Sequence, residues 1–299
     1  IRTMYYSSKS WTNNNEENIM KYLVLGSAGQ IGNCLCNYLQ LKGHEVLRFD
    51  IVDNEFQDLR IHDNKILEDL VNKSDFIYFL AFDVGGSRYL AKYQHTFNFL
   101  HNNIRLMSNT FELIKKYKKK FIFASSQMSN MSHSPYGVAK AIGERYTDSL
   151  EGLTVKFWNV YGPEKDLEKS HVITDFILKA KDTGKIEMLS DGTEQRQFLH
   201  ADDCSDCLLE LSQCYDELDK SREYHITNFK WNSILDVANI VANNVLLETE
   251  FDDIDIIPGK SKDLVQLDKR NEADEYILNF WTPKIDLEKG IQMIIKEMS

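Results

Sequence analysis

The sequence predicts an α/β protein: a doubly wound parallel sheet followed by a smaller mixed α/β region. Three observations carry that prediction. Short apolar segments alternate with amphipathic helical ones from residue 21 to residue 158. A glycine-rich turn, Gly26-Ser27-Ala28-Gly29-Gln30-Ile31-Gly32, stands between the first strand and the first helix. An acid, Asp50, ends the second strand.

The elements follow in order. Residues 1–19, rich in Asn, Ser and Glu and without apolar period, read as a flexible tail or upstream extension. Residues 21–25 form a short buried strand, 31–42 a helix closed by Gly43, and 45–50 the second strand. A helix over 62–73, a strand over 76–81, a long helix over 97–117, a strand over 120–125, a helix over 136–150 and a strand over 154–158 continue the alternation. Residues 20–160 are therefore expected to be one domain. After Asn159 the pattern changes. A helix over 172–181, a short strand over 185–189 and a helix over 202–213 describe a smaller domain, mainly for substrate, spanning 161–299, with a strand at 223–228 returning to the main sheet. No Pro/Gly/Ser linker separates the two parts. They are expected to share a long interface, with the site between them at the C-terminal ends of the strands.

Composition sets the class. The 299 residues are 42% hydrophobic and 27% charged, ordinary for a globular chain able to bury a large core. The densest apolar run, 75–82, has the length of a buried strand rather than the ~20 residues of a membrane helix. A formal charge of −11 argues against nucleic acid or an anionic membrane as partner. It also requires any phosphorylated ligand to be held by local cations and backbone N–H groups. Five cysteines make no disulfide framework, so a reducing, cytoplasmic location is expected. Cys34 and Cys36, like Cys204 and Cys207, fall on amphipathic helices as core thiols, so no metal site is expected.

The glycine turn has the chemistry of a dinucleotide site. Its glycines allow a tight turn and close backbone approach to a pyrophosphate, and the helix start supplies N–H groups, from Gly26, Gly29, Gln30, Ile31 and Gly32 onward. The Asp50 carboxylate suits two ribose hydroxyls and repels a 2′-phosphate, which favours NAD over NADP; Arg48, two residues upstream, softens that preference. Asp58 and Leu59 are placed near the adenine edge, with a solvated turn as the competing reading. A second cluster is Tyr136-Gly137-Val138-Ala139-Lys140, preceded by Ser125-Ser126. Tyr and Lys four apart share one helix face, and a cation beside a phenol of pKa ~10 favours the phenolate. Ser126 can hold a substrate oxygen against the phenol.

These motifs, with Leu80-Ala81, Asn103, Asn159-Val-Tyr-Gly-Pro163, the segment from Asp191 through Arg196 to Asp203, and Trp281-Thr-Pro283, resemble the extended short-chain dehydrogenase/reductase family. That family comprises nucleotide-sugar epimerases, dehydratases and reductases on a Rossmann sheet, and the resemblance runs from about Lys21 to the C-terminus. It implies Tyr136 as acid/base, Lys140 on the nicotinamide ribose and Ser126 on the sugar hydroxyl. It places Ala81, Asn103 and Ser125 with NAD(H), and Val84, Gly85, Gly86, Asn159 and Arg196 with a nucleotide-diphosphate sugar. A surface ion pair with Asp202 or Asp203 is the competing reading for Arg196. The helices 97–117 and 136–150 are expected to pair across a two-fold axis into a homodimeric four-helix bundle.

Departures from the family pattern narrow the reaction. Ser126-Gln127-Met128 lacks the acids of the 4,6-dehydratases. Met128 stands where 3,5-epimerase relatives carry an acid/base Cys, although Val84-Gly85-Gly86 and His171 match those enzymes; His171 also reads as a first-turn residue after a Ser170 N-cap. Only ten residues separate Ser126 from Tyr136, which predicts a more open sugar pocket. The expected reaction is oxidation or reduction at C4 of a nucleotide sugar, as 4-dehydrogenase, 4-ketoreductase or 4-epimerase. The alternatives are a 3,5-epimerase/4-reductase using His171 and a non-catalytic NAD-binding regulator.

Overall fold

The computed structural model describes residues 19–164, 170–260 and 271–298, so all but the last residue of the extension expected at 1–19 lies outside the described residues. The main sheet contains β1 (Lys21–Leu25), β2 (Glu45–Phe49), β3 (Phe76–Phe79), β4 (Lys120–Ser126), β5 (Leu153–Phe157) and β9 (Glu223–Ile226). Their order is β2-β1-β3-β4-β5-β9, and every pair is parallel. Order reverses between β1 and β3, the place where a ligand crevice opens in such sheets.

Both faces of this sheet are covered, which is why its strands are near-continuous apolar runs. On one face Tyr22, Val24, Tyr78 and Ile122 pack with Leu35 and Leu39 of α1 (Gln30–Leu41) and with Cys204, Cys207 and Leu208 of α7 (Ala201–Gln213). On the other, Leu23, Leu25, Ile77, Phe79 and Phe123 pack with Leu67 and Val71 of α2 (Lys65–Lys73) and with Met107, Phe111 and Ile114 of α4 (Phe97–Tyr117). Alternate residues of each strand thus feed opposite layers. Gly143 of α5 (Pro135–Ser149) lies against the Phe123 ring.

The smaller, mixed part has its own core. A three-stranded sheet orders β10 (Trp231–Ser233), β8 (Gln195–His200) and β6 (Asn159–Tyr161), antiparallel then parallel. A second pair joins β7 (Lys185–Glu187) to β11 (Asp255–Ile257). Ile173 and Ile177 of α6 (Val172–Thr183), Val237 and Val241 of α8 (Ile234–Leu246), and Ile291 and Ile294 of α9 (Leu287–Glu297) fill the space between. Buried Asp203 accepts from the Lys284 and Ile285 N–H groups at 2.9 and 2.8 Å, fastening the chain that leads into α9.

Several expectations shift. The helix expected from 62 starts at Lys65, because the Asn64 side chain accepts from the Ile66 and Leu67 N–H groups and Asp63 takes a positive φ of 55°. The N-cap of α6 is His171, not Ser170, and it makes no side-chain cap bond. A further helix, α3 (Ser87–Tyr93), together with β6, β8, β10, β11 and α8, goes beyond the sequence reading. Three-residue strands are too short to display an alternation.

Candidate active site

A cavity of about 670 Å³ opens at the C-terminal ends of β1 to β5. Gly26, Gly29, Gln30, Ile31 and Gly32 line one end of it, Asp50, Asp58 and Leu59 the neighbouring rim, and Ser125, Ser126, Tyr136 and Lys140 the far wall. Ala81, Val84, Gly85, Gly86, Asn159 and His171 complete most of the remaining wall.

The glycine end is built for an anion. The N-cap of α1 is Gly29, which offers no side-chain cap, and the first turn of the helix carries no acid. The leading N–H groups of the helix therefore have no intrahelical acceptor. A Cβ on Gly32 would collide with the Gly26 carbonyl, so only glycine lets the turn fold this tightly onto the helix. The Asp50 carboxylate accepts from Ala28 N–H at 3.0 Å and Val52 N–H at 2.9 Å, which fixes it at the cavity rim with lone pairs to spare. Arg48 turns away from the cavity, donating to the Ser27 carbonyl and to the side chains of Asn33 and Asn37. The fork of Arg60 grips Asp58 at 2.8–3.0 Å. Burial pushes the Asp58 carboxyl up, but Arg60 outweighs it and holds the group below the usual range. Uncapped N–H groups, a glycine cradle and a fixed carboxylate fit the pyrophosphate and ribose of NAD.

At the far wall, β4 and α5 meet residue by residue. The Lys140 ammonium donates to the Ala124 carbonyl at 2.6 Å and the Ser125 hydroxyl to Glu144 at 2.5 Å, while Ser126 and Tyr136 line the same cavity wall. The Ser125 side chain therefore points into the helix packing rather than the cavity. The Lys140 nitrogen lies 3.8 Å from the centre of the Phe82 ring and 5.9 Å from that of Tyr136. Phe82 meets the Tyr136 ring edge-on at 5.7 Å. Here the charge argument from sequence is corrected. Burial pushes the Tyr136 phenol up to about 12, against the lowering effect of Ser126. Burial also pushes Lys140 down to about 7, against the raising effect of Glu144. Desolvation disfavours both charged forms and outweighs the attraction between them.

The short segment from Ser126 to Tyr136 holds these groups in place. Ser126 Oγ accepts from Met128 N–H at 3.2 Å, starting a 3₁₀ turn over Gln127–Asn130. Ser134 caps α5 by accepting from Gly137 N–H at 3.1 Å. Met128 is 3% exposed, in an apolar cluster with Leu90, Phe99 and Met131, which explains an apolar residue two places after Ser126.

Two side chains that sequence reasoning did not single out belong to the site. One is Phe82. The other is Glu164, which follows Pro163 and accepts from the His171 main-chain N–H at 2.9 Å while bonding its ring Nδ1 at 2.6 Å. Burial pushes the Glu164 carboxyl up, and His171 more than offsets this, leaving it below the usual range. The only forecast of that partner in the sequence is an acid seven residues before the histidine. The Ser170 carbonyl lies where a Gly86 Cβ would point, 2.5 Å away, so the Val84–Gly86 loop is pressed against the start of α6.

Two predicted residues stand outside the cavity lining. Asn103 is fully buried in α4, accepts from Asp83 N–H at 2.8 Å and donates to the Asp83 and Phe99 carbonyls, so it pins the loop after β3 from behind. Arg196, near the start of β8 and paired with Asn232 of β10, donates from Nη1 to the Gln195 carbonyl at 2.7 Å. Asn159 donates to the Gln197 carbonyl at 3.2 Å, linking the cavity wall to β8. Cys204 and Cys207 are buried core thiols, and among the described residues no three His, Cys, Asp or Glu side chains gather as metal ligands.

Comparison with known proteins agrees with this geometry. The profile of the NAD dependent epimerase/dehydratase family matches residues 22–227. The chain is 25% identical to a GDP-L-fucose synthase of Sinorhizobium fredii, over 90% of this chain and 92% of that one. It is 22% identical to UDP-glucuronic acid decarboxylase 1 of Xenopus tropicalis, over 94% of this chain and 72% of the relative. Among solved structures, the UDP-glucose 4-epimerase of Thermotoga maritima superposes with a TM-score of 0.76 at 19% identity, covering 93% of this chain and 98% of that one.

Proposed function

The chain belongs to the NAD-dependent epimerase/dehydratase family, and on that premise we propose that it oxidises or reduces C4 of a nucleotide-activated sugar. The observation that carries the reading is the gathering of Ser126, Tyr136 and Lys140 on one cavity wall, with the Lys140 nitrogen 5.9 Å from the centre of the Tyr136 ring. Bound NAD supplies the two-electron acceptor or donor for the carbon. Gly26 to Gly32 and Asp50 hold it, Ser126 orients the sugar hydroxyl or ketone, and Tyr136 moves the proton on that oxygen. With its phenol raised to about 12, Tyr136 is a proton donor at neutral pH. Reduction of a 4-ketone is thus expected to run near neutrality, while oxidation needs the phenolate and is favoured by alkaline pH.

The relatives' names support a nucleotide sugar as substrate, since they act on GDP- and UDP-linked sugars. A second reading, proton exchange beside a 4-ketone as in a 3,5-epimerase, is favoured by the Glu164–His171 pair in the same cavity wall. Exposed Phe97, Leu100 and Ile104 on α4, with Val138, Ile142 and Tyr146 on α5, form apolar stripes that suit a homodimer joined through a four-helix bundle. The test of the reaction is a panel of GDP-, UDP- and dTDP-sugars carrying deuterium at C4. Label appearing on NADH or a second acceptor supports a dehydrogenase, and label retained at an inverted C4 an epimerase. No label movement with any sugar contradicts chemistry at C4.

A further inference from the structure

Three successive residues at the end of β4 stand beside three residues spaced four apart on α5. The Ala124 carbonyl accepts from Lys140, the Ser125 hydroxyl donates to Glu144, and Ser126 lines the cavity with Tyr136. The first and third pairs carry the acid/base chemistry proposed above. The second has no part in it, yet it is the most heavily charged. Glu144 is 5% exposed and Lys156 of β5 is 7% exposed, with the Lys156 ammonium 3.5 Å from Glu144 and 2.7 Å from Glu223 of β9. Glu223 in turn meets His225 at 3.9 Å.

A buried carboxylate is costly unless it is paired and hydrogen-bonded, and an apolar residue of similar volume often serves stability equally well. Stability alone therefore does not call for an acid at 144. Its place on the helix does something else. Residues i and i+4 are neighbours on one face, so the carboxylate sits one turn beyond Lys140. Among the described residues Glu144 is the acid that acts on Lys140, whose other surroundings are the Ala124 carbonyl and the rings of Phe82, Phe123 and Tyr136. Lys156 lies behind Glu144, where its charge is shared with Glu223.

We propose that Glu144 is a positioning residue that acts through Lys140: its buried carboxylate, one turn along the same helix face, favours the charged form of the lysine that faces the cavity. The Ser125 hydroxyl and the Lys156 ammonium are the partners of that carboxylate. The inference rests on the reading above in one respect, that Lys140 contacts bound NAD(H).

The test is NADH binding, followed by fluorescence between pH 6 and 10, for the wild type and for Glu144→Gln, Ser125→Ala and Lys140→Met. Gln keeps an oxygen for Ser125 and the volume, and thermal melting verifies the fold. A carboxylate favours the cation, so its removal makes Lys140 lose its proton at lower pH. The pH at which NADH affinity falls by half is expected to drop by at least about half a unit in Glu144→Gln. It should stay in place in Ser125→Ala, where only the hydrogen bond is lost, and Lys140→Met should flatten the profile. If Lys140→Met is flat and Glu144→Gln keeps the wild-type midpoint, Glu144 is structural only and the inference is overturned. A Lys140→Met profile identical to wild type overturns the reading of Lys140, and this inference with it.

Discussion

The Phe82 ring covers the Lys140 ammonium at 3.8 Å, so the cation of this site faces an aromatic surface rather than water. Such a contact returns some stabilisation to the cation, on the order of 0.5–2 kcal/mol. It does not replace the lost hydration, and burial leaves Lys140 near 7.

That burial makes stability depend on pH with a definite sign. Between about pH 7 and the ordinary lysine value, the unfolded chain holds a proton that the folded Lys140 has released. Stability therefore rises with pH across this window, and the cost of burying the charge is complete below it. Lys140→Met is expected to melt above wild type at pH 6 by a few degrees, at roughly 2–4 °C per kcal/mol for chains of 150–250 residues. The gap should shrink toward pH 10. Calorimetric melting at pH 6, 8 and 10 measures it.

Gly32→Ala is expected to lose the cofactor. Its Cβ would strike the Gly26 carbonyl, and backbone on both sides leaves no flexible atom to yield. Overpacking of this kind costs about 1–3 kcal/mol. Melting should fall accordingly, and NAD affinity measured by calorimetric titration should fall by at least about tenfold.

Asp50→Ala should weaken NAD by roughly 10- to 100-fold, since hydrogen bonds to a charged group contribute about 1.5–3 kcal/mol. It should also loosen the turn, because Ala28 N–H and Val52 N–H lose their acceptor. Asp50→Asn, which keeps one acceptor oxygen, is expected to bind NAD more tightly than Asp50→Ala. Side-by-side titrations with NAD and NADP check both the loss and the change in cofactor preference.

Glu164→Gln and His171→Gln separate the two readings of the reaction. If chemistry is confined to C4, both variants should retain turnover within about threefold, well short of the ~10²–10⁴ contributed by a proton-transferring group. If His171 exchanges protons beside a ketone, solvent deuterium should enter C3 or C5 with wild type and be lost with His171→Gln. Proton NMR of the recovered sugar in D₂O reads this directly.

What the sequence revealed followed the range of each signal. The glycine turn, the strand–helix alternation and the Tyr136/Lys140 spacing are local, and local patterns survive folding; the parallel sheet, the family and the NAD dependence were legible in them. Phe82, Glu144 and Glu164 acquire their partners only when β3, β4, β5 and α6 come together. The direction of the Tyr136 pKa was misread for the same reason. The attraction depends on helix spacing, while the desolvation that overrides it depends on Phe82, Phe123 and the whole wall. Arg196 is expected at the diphosphate from its motif, and the pairing of β8 with β10 sets where it stands. The strands β6, β10 and β11 span three residues each and gave no periodicity to read.

The most direct measurement is transfer of the C4 deuterium from labelled nucleotide sugars to NAD, compared between wild type and Tyr136→Phe. The substitution removes one hydroxyl and leaves the ring against Phe82. The account predicts that transfer falls by about 10²–10⁴ while NADH affinity stays within a few-fold of wild type. Undiminished transfer by Tyr136→Phe would contradict it.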